Sequence, residues 1–208
     1  MSVSIYDILL KRIIDLEYPP GELINEKQLT EEFSVSRTPV REALLKLSEK
    51  GFVQLIPRVG TYVSQVDIRD VKHAYEVKKN LEILACELAA ERATSKDILE
   101  LKALVATMQL MDPIEQYEEY IDADYTFRRK IRETSANPFL VSYLEELNQK
   151  TKRFVNHIQY RMQDPTWYRA SMERIAGALA DRNGQLAGEE MKQHAEIFLQ
   201  ELSGRFFI

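Results

Sequence analysis

The segment Ser34–Gly51, SVSRTPVREALLKLSEKG, limits the possible folds more than any other part of the chain. Ser36 stands where a helix N-cap belongs. Pro39 lies in the first turn, where its missing N–H costs no hydrogen bond. Val40, Ala43, Leu44 and Leu47 then fall on one helical stripe, and Gly51 suits the position just past the helix end. Arg37 and Arg41 share a side of the helix and flank this stripe rather than joining it. The helix must therefore bury one face while it presents two guanidinium groups near its N-terminus.

The flanking segments supply what that face packs against. Ile5, Ile8, Leu9, Ile13 and Leu16 share one helical face over Ser4–Leu16, and YPPGE ends that helix. Asn25 is placed to cap a short second helix, with Gln28 in the capping-box position and Leu29 and Phe33 as apolar anchors. After Gly51, FVQLI and TYVSQV read as two short strands around PRVG. The order helix, helix, tight turn, helix, hairpin predicts a winged helix-turn-helix over residues 1–66. In that arrangement the N-terminal residues of the third helix face the major groove of DNA.

The residue types at that end suit the task. Arginine takes guanine O6 and N7 bidentately or grips phosphate, which predicts DNA contacts for Arg37 and Arg41. Ser36 and Thr38 place hydroxyls near a helix N-terminus, where phosphate is electrostatically favoured. Gly60 lets the wing tip pass close to a sugar-phosphate backbone, with Arg58 beside it. Lys27 is compatible with a phosphate contact and equally with a solvated charge. The alternative for Arg37 and Arg41 is solvated arginines paired with Glu42 or Glu31. The agreement of the capped turn, Pro39, the arginines and the wing glycine selects DNA contact.

Composition sets outer limits. The formal net charge is -5, which gives no global sign of nucleic-acid binding but leaves room for a local basic patch. The single cysteine, Cys86, excludes an intramolecular disulfide and a cysteine zinc cluster. Its setting, ILACELAA, predicts a packed, inert thiol. Lys11 and Arg12 interrupt the early apolar residues, and no apolar run approaches the ~20 residues a membrane helix needs. A cytoplasmic protein with no membrane partner is expected.

The stretch LTEEFSVSRTPVREALLKLSEKGFVQLIPRVGTYV resembles the DNA-binding domain of GntR-family bacterial transcription regulators. The resemblance covers residues 1 to about 66. It implies that Arg37, Thr38 and Arg41 contact the operator and that Gly60 sits at the wing tip. It also puts Lys27 where many members carry a basic residue that touches DNA.

Beyond Asp67 the strand signal vanishes. About six helices are expected, broken at TSKD, DPIE, SANP, QDPTWY and RNGQ. They predict an all-helical bundle over residues 67–208, so the fold class is mainly α. Polar residues intrude on its apolar seams. Lys78 shares a seam with Val71, Ala74, Leu81, Ala85 and Leu88, either snorkelling to the surface or facing a polar cavity. Asp124 and Arg128 lie one turn apart between Ile121 and Ile131. His194 is in line with Met191, Phe198 and Leu202. A single histidine so placed reads as a satisfied core residue, whereas intrusions from several helices point to a shared internal site.

These segments resemble the FCD effector-binding domain of the FadR-like branch of the GntR family, through YEVKKNLE, DYTFRRKIRETSANPFL, MERIAGALADRN and AGEEMKQHAEIFL. The resemblance implies a bundle with a central ligand cavity, where many members hold a divalent metal with one aspartate and three histidines. Asp124 and His194 match two of those positions, but Arg128 and Arg174 occupy the other two, and His73 and His157 match none. Arginine has no lone pair to give a metal, and two protein ligands are too few. Neither metal nor cofactor is expected. Lys78, Asp124, Arg128, Arg174 and His194 are instead expected to hold a small organic acid or other anionic effector. In the alternative, the arginines pair with Asp124 and Glu173 and fill the cavity, leaving an effector-independent domain. A metal-dependent sensor is the third option.

No nucleophile elbow, phosphate-binding glycine loop or zincin helix is present, so no catalysis is expected. The chain reads as a homodimeric transcription regulator on a pseudo-palindromic double-stranded DNA operator.

Overall fold

A computed structural model describes residues 4–161 and 164–206. Gln163, part of the expected helix break, lies outside the described residues. The chain forms two compact units. One comprises the residues up to Val71 together with Gln149–Gln159, and the other Lys72–Asn148 with the residues from Tyr160 onward.

In the first unit, α1 (Ile5–Ile14) starts at a reciprocal capping box between Ser4 and Asp7. The chain then forms the short β1 (Leu23–Ile24) and α2 (Glu26–Glu32), whose N-cap Asn25 accepts from the backbone N–H of Lys27 and Gln28. Helix α3 (Arg37–Glu49) follows, with Pro39 in its first turn. Ser36 occupies the N-cap position, but its side chain makes no capping bond, which differs from the expected cap. The C-terminus of α3 is closed by a Schellman arrangement. Gly51, at φ +79°, donates to Ser48 O (3.0 Å), and Phe52 donates to Leu47 O (2.9 Å).

The wing consists of β2 (Val53–Ile56) and β3 (Gly60–Val63), and β3 pairs antiparallel with both β1 and β2. The second wing strand ends at Val63, short of the expected Val66. Strand β1 was not expected at all. Two residues carry no alternation, and Leu23–Ile24 is a strand only because β3 pairs with it, Leu23 with Tyr62 and Ile24 with Thr61. Leu9, Ile13, Val40, Leu44 and Leu47 are fully buried and form the centre of this unit's core with Leu29, Phe52, Val53 and Val63. Arg12 pairs with Glu32, fastening α1 to the end of α2. Residues 149–159 join the same unit. The buried Arg153 donates to Ser64 O, and Asn156 Nδ2 donates to Ile14 O (2.8 Å). Burial pushes the Arg153 guanidinium down to about 10, so it is still a cation at neutral pH.

The second unit is entirely helical among the described residues. Its helices are α4 (Ile68–Arg92), α5 (Ser95–Leu110), α6 (Tyr117–Thr134), α7 (Pro138–His157), α8 (Thr166–Ala180) and α9 (Gly184–Phe206). The first turn of α4 and the last turns of α7 belong to the first unit. Helix α8 packs on α9 and α5, and α5 packs on α6. Cys86 is fully buried on α4, and burial pushes its thiol well above the ordinary range. No described helix is long and apolar enough to cross a membrane.

The α3 stripe tests the assignment of the first core. Leu44 is fully buried, so Leu44→Ala should lower unfolding stability by about 2–5 kcal/mol through lost transfer energy and an unfilled cavity. Urea titration followed by circular dichroism reads this directly. A midpoint equal to that of the parent protein would remove Leu44 from the core.

Candidate nucleic-acid interface and buried polar cluster

In the first unit, a groove of about 400 Å³ is lined by Lys27 and Glu26 of α2, Arg37 and Arg41 of α3, and Val59, Gly60 and Thr61 of the wing, among others. The tight turn between α2 and α3 and the return of β3 beside β1 bring these residues together. Ser36, Arg37, Thr38 and Arg41 are all exposed at the start of α3. Arg58, at φ +65°, forms the wing turn and is exposed as well. Gly60 has a structural reason of its own. Its φ is +147°, and a Cβ there would lie 2.8 Å from Leu23 Cδ1.

Sequence reasoning missed Glu26. Its carboxylate accepts from Arg41 Nε at 3.1 Å and lies 3.5 Å from Thr61 Oγ1. Arg41 is thereby held from behind while remaining 64 % exposed. That bond uses Nε, and the edge carrying the terminal nitrogens is the one a bidentate base contact requires. Neither Glu42 nor Glu31, the partners considered from sequence, plays this part. Lys27 lies near Glu31 at 3.7 Å, an exposed pair worth little.

In the second unit, α6 and α9 bring Asp124, Arg128 and His194 together. Arg128 Nε sits 3.1 Å from both Asp124 oxygens, and its Nη2 lies against His194 Nε2. Ser171 Oγ of α8 lies 2.6 Å from His194 Nδ1 and 2.7 Å from Tyr168 O. The donor inventory fixes the protons. A guanidinium only donates, so His194 Nε2 accepts, Nδ1 carries the hydrogen and donates to Ser171, and Ser171 donates to the carbonyl. Burial, reinforced by the charges of Arg128, Lys78 and Arg174, holds the His194 pKa well below the ordinary imidazole range. The Tyr168 ring packs edge-on against His194, with centroids 4.6 Å apart.

Lys78 has its ammonium 5.5 Å from the Tyr75 ring centroid, and burial pushes it down to about 8. Its side chain is half-buried and lies against that ring. Arg174 is not brought to the cluster's centre. Its side chain is half-exposed, and Nε donates to Glu190 at 2.6 Å, a partner other than the expected Glu173. His73 and His157 are exposed.

The four-ligand metal pattern of the resembled domain does not fit these residues. Arg128 fills one ligand position with a permanent cation, and its guanidinium engages the one His194 nitrogen that has a lone pair. Among the described residues no three His, Cys, Asp or Glu side chains are grouped to hold a metal ion.

Two further residues of the cluster were missed. Glu82 is one turn beyond Lys78, and Arg132 one turn beyond Arg128. They are 2 % and 1 % exposed. The only available signal was the i, i+4 spacing from residues already singled out.

A winged helix with an exposed arginine-bearing helix end, joined to an all-α unit with a buried polar cluster, defines the class as a DNA-binding regulator with a helical C-terminal domain. The family model "Bacterial regulatory proteins, gntR family" matches residues 1–63, and the FCD domain model matches residues 73–196. LutR of Bacillus subtilis (strain 168), an HTH-type transcriptional regulator, is 30% identical over 211 residues, covering 91% of this chain and 95% of its own. The HTH-type transcriptional repressor RspR of Escherichia coli (strain K12) is 27% identical, covering 98% of this chain and 87% of its own. The solved structure of E. coli McbR/YncC superposes with a TM-score of 0.78 at 25% identity, covering 97% of this chain and 96% of that one. The chain belongs to the GntR family of bacterial transcription regulators, carries an FCD domain, and is a DNA-binding transcription regulator.

The Glu26–Arg41 geometry makes a two-part prediction. If Arg41 reads a base edge, Arg41→Ala should lose about 1–3 kcal/mol on a selected operator and less on a scrambled duplex. Glu26→Ala should narrow the gap between operator and scrambled duplex, because Arg41 loses the acceptor that fixes its direction while a repelling carboxylate is removed. Fluorescence anisotropy on both duplexes at several salt concentrations reads both effects. A folded Arg41→Ala variant that binds the operator like the parent would take Arg41 out of the interface.

Proposed function

We propose that the chain acts in the bacterial cytoplasm as a homodimer on a pseudo-palindromic operator, and that a small anionic effector in the C-terminal bundle modulates this binding. Residues 1–66 form the DNA-binding domain and residues 67–208 the effector-binding and dimerisation domain. Lys27, Ser36, Arg37, Thr38, Arg41, Arg58 and Gly60 are the DNA contacts. The observation that carries this reading is the groove, where two exposed arginines and a lysine converge with the wing in one concave surface. One winged helix spans few base pairs, and a twofold doubles the surface that reads sequence.

For the effector, the supporting observation is positive charge held inside a helical unit. Arg128 on α6 keeps only 11 % of its side chain exposed and Lys78 on α4 is half-buried, and a guanidinium or ammonium screened from water binds a carboxylate more strongly than it would on a surface. A second reading has its own observation. Arg128 closes on Asp124 and His194, and Arg174 closes on Glu190, as in a domain stabilised by internal pairs with no effector.

Two measurements test the proposal. Sedimentation at micromolar concentration should give a dimer, with one dimer per operator. Monomer alone, with and without DNA, would overturn the assembly. A panel of organic acids titrated into the protein–operator complex should include at least one that changes affinity about fivefold or more. Unchanged affinity throughout would favour the internally paired domain.

A further inference from the structure

The buried cluster contains two charged groups that its internal pairing leaves unserved, beside the unpartnered hydroxyl of Tyr120. Glu82 of α4 is 2 % exposed, and neither of its carboxylate oxygens receives a hydrogen bond. Arg132 of α6 is 1 % exposed. Its Nε donates to Arg128 O (3.2 Å) and its Nη1 lies 3.7 Å from Glu145, yet Nη2 has no partner. A buried carboxylate with no donor and a buried guanidinium nitrogen with no acceptor are both costly to leave unmatched.

The two groups belong to one neighbourhood. Helices α4 and α6 both pack against α9, through Tyr75 on Phe198 and Arg128 on His194, and Glu82 and Arg132 each follow a cluster residue by one turn. Both also act electrostatically on the Lys78 ammonium, as do Arg128 and Asp124. Glu82 also acts on Arg128, and Arg132 follows Arg128 by one turn. They nonetheless form no ion pair with each other. Arg128, by contrast, is engaged by Asp124, His194 and Met191 Sδ, and has less to offer an incoming group. The open charged valences of the cluster are therefore an acceptor on α4 and a donor on α6.

We propose that Glu82 and Arg132 are the two anchors of an effector site for a small amino acid, with the ligand's ammonium on Glu82 and its carboxylate on Arg132. This rests on the effector reading above and narrows its ligand class. A plain carboxylate would satisfy Arg132 but add a second negative charge near Glu82 and leave both its oxygens unserved. A hydroxy acid would bring one donor for two oxygens. An ammonium brings three donors and the opposite charge, and the carboxylate on the same molecule meets the guanidinium, whose planar fork suits it. Arg128, Asp124 and His194 act as the fixed wall of the site, since their hydrogen bonds are made within the protein.

The test uses matched ligands on the full-length protein. Isothermal titration calorimetry compares α-amino acids of graded side-chain length with the hydroxy acid and the unsubstituted acid of each skeleton. At least one amino acid should bind ten times or more tighter than both of its counterparts. Glu82→Gln and Arg132→Met should each weaken that binding by tenfold or more. The ligand comparison needs no variant, so a misfolded mutant leaves the proposal testable. Equal binding of the unsubstituted or hydroxy acid, unaffected by Glu82→Gln, would overturn the amino-acid assignment while the effector reading stands. Binding that depends on Glu82 but leaves operator affinity unchanged would uphold the site and defeat the effector reading. No binding by any member of the three series would overturn the site, leaving Glu82 and Arg132 to ordered water.

Discussion

The largely enclosed guanidinium of Arg128 dictates the arrangement around it. It stays charged at any accessible pH, it only donates, and it needs acceptors on several sides. Asp124, one turn away, takes Nε with both oxygens, and the ring of His194 takes Nη2. The imidazole must then be neutral with its hydrogen on Nδ1, which orients Ser171 and through it the Tyr168 carbonyl. Three helices are thus registered against one side chain. A buried ion pair of this kind contributes more to a unique geometry than to net stability, because desolvation offsets much of the attraction. Removing Asp124 alone would leave the arginine stranded.

The same residue sets this bundle apart from the metal-binding pattern that its sequence resembles. A divalent ion held by an aspartate and several histidines ties helices together through its own charge. Arg128 supplies a positive group from the chain itself, tethered to α6 and directed at the aspartate and one of the histidines that such a pattern would use. What it cannot reproduce is an open coordination position. A small ligand in this domain would have to be recognised by side chains that remain unengaged.

Much of the first unit was legible from sequence because its signals are local. A proline in a first turn, a stripe at helical spacing and a glycine past the helix end each constrain a few consecutive residues, and α3 ends at the Schellman closure those residues suggest. The parts that were not legible depend on distant partners. Strand β1 exists only through β3, and Glu26 holds Arg41 only because the wing and α2 close around the same groove. In the bundle, spacing placed Asp124, Arg128 and His194 on buried faces, where they meet. It could not show that Arg174 turns toward Glu190, because a partner on the next helix leaves no periodic trace. Glu82 and Arg132 escaped for the opposite reason. Their positions repeat the spacing of Lys78 and Arg128, but a charged residue at helical spacing ordinarily marks a solvated face.

The division of labour between the units follows from where charge can be tolerated. Arginines that are to meet DNA must stay hydrated until it arrives, so under the proposed contacts the cost of Arg37 and Arg41 would be met on binding, through released counterions and new contacts. Glu26 holds Arg41 without burying its charge, which would lower the ordering cost of that step. In the bundle, charges are withdrawn from water during folding, so each must find its partner in the fold or in a ligand. A ligand there can alter operator affinity only to the extent that it binds one arrangement of the chain better than another, and a tenfold change needs about 1.4 kcal/mol of such preference. Helix α7 contributes residues to both units, and in the first of them Arg153 and Asn156 bond to the backbone of Ser64 and Ile14. A preference of that modest size is within the range of one buried charge-assisted hydrogen bond, so a site built from a few otherwise unmatched polar atoms is sufficient for regulation.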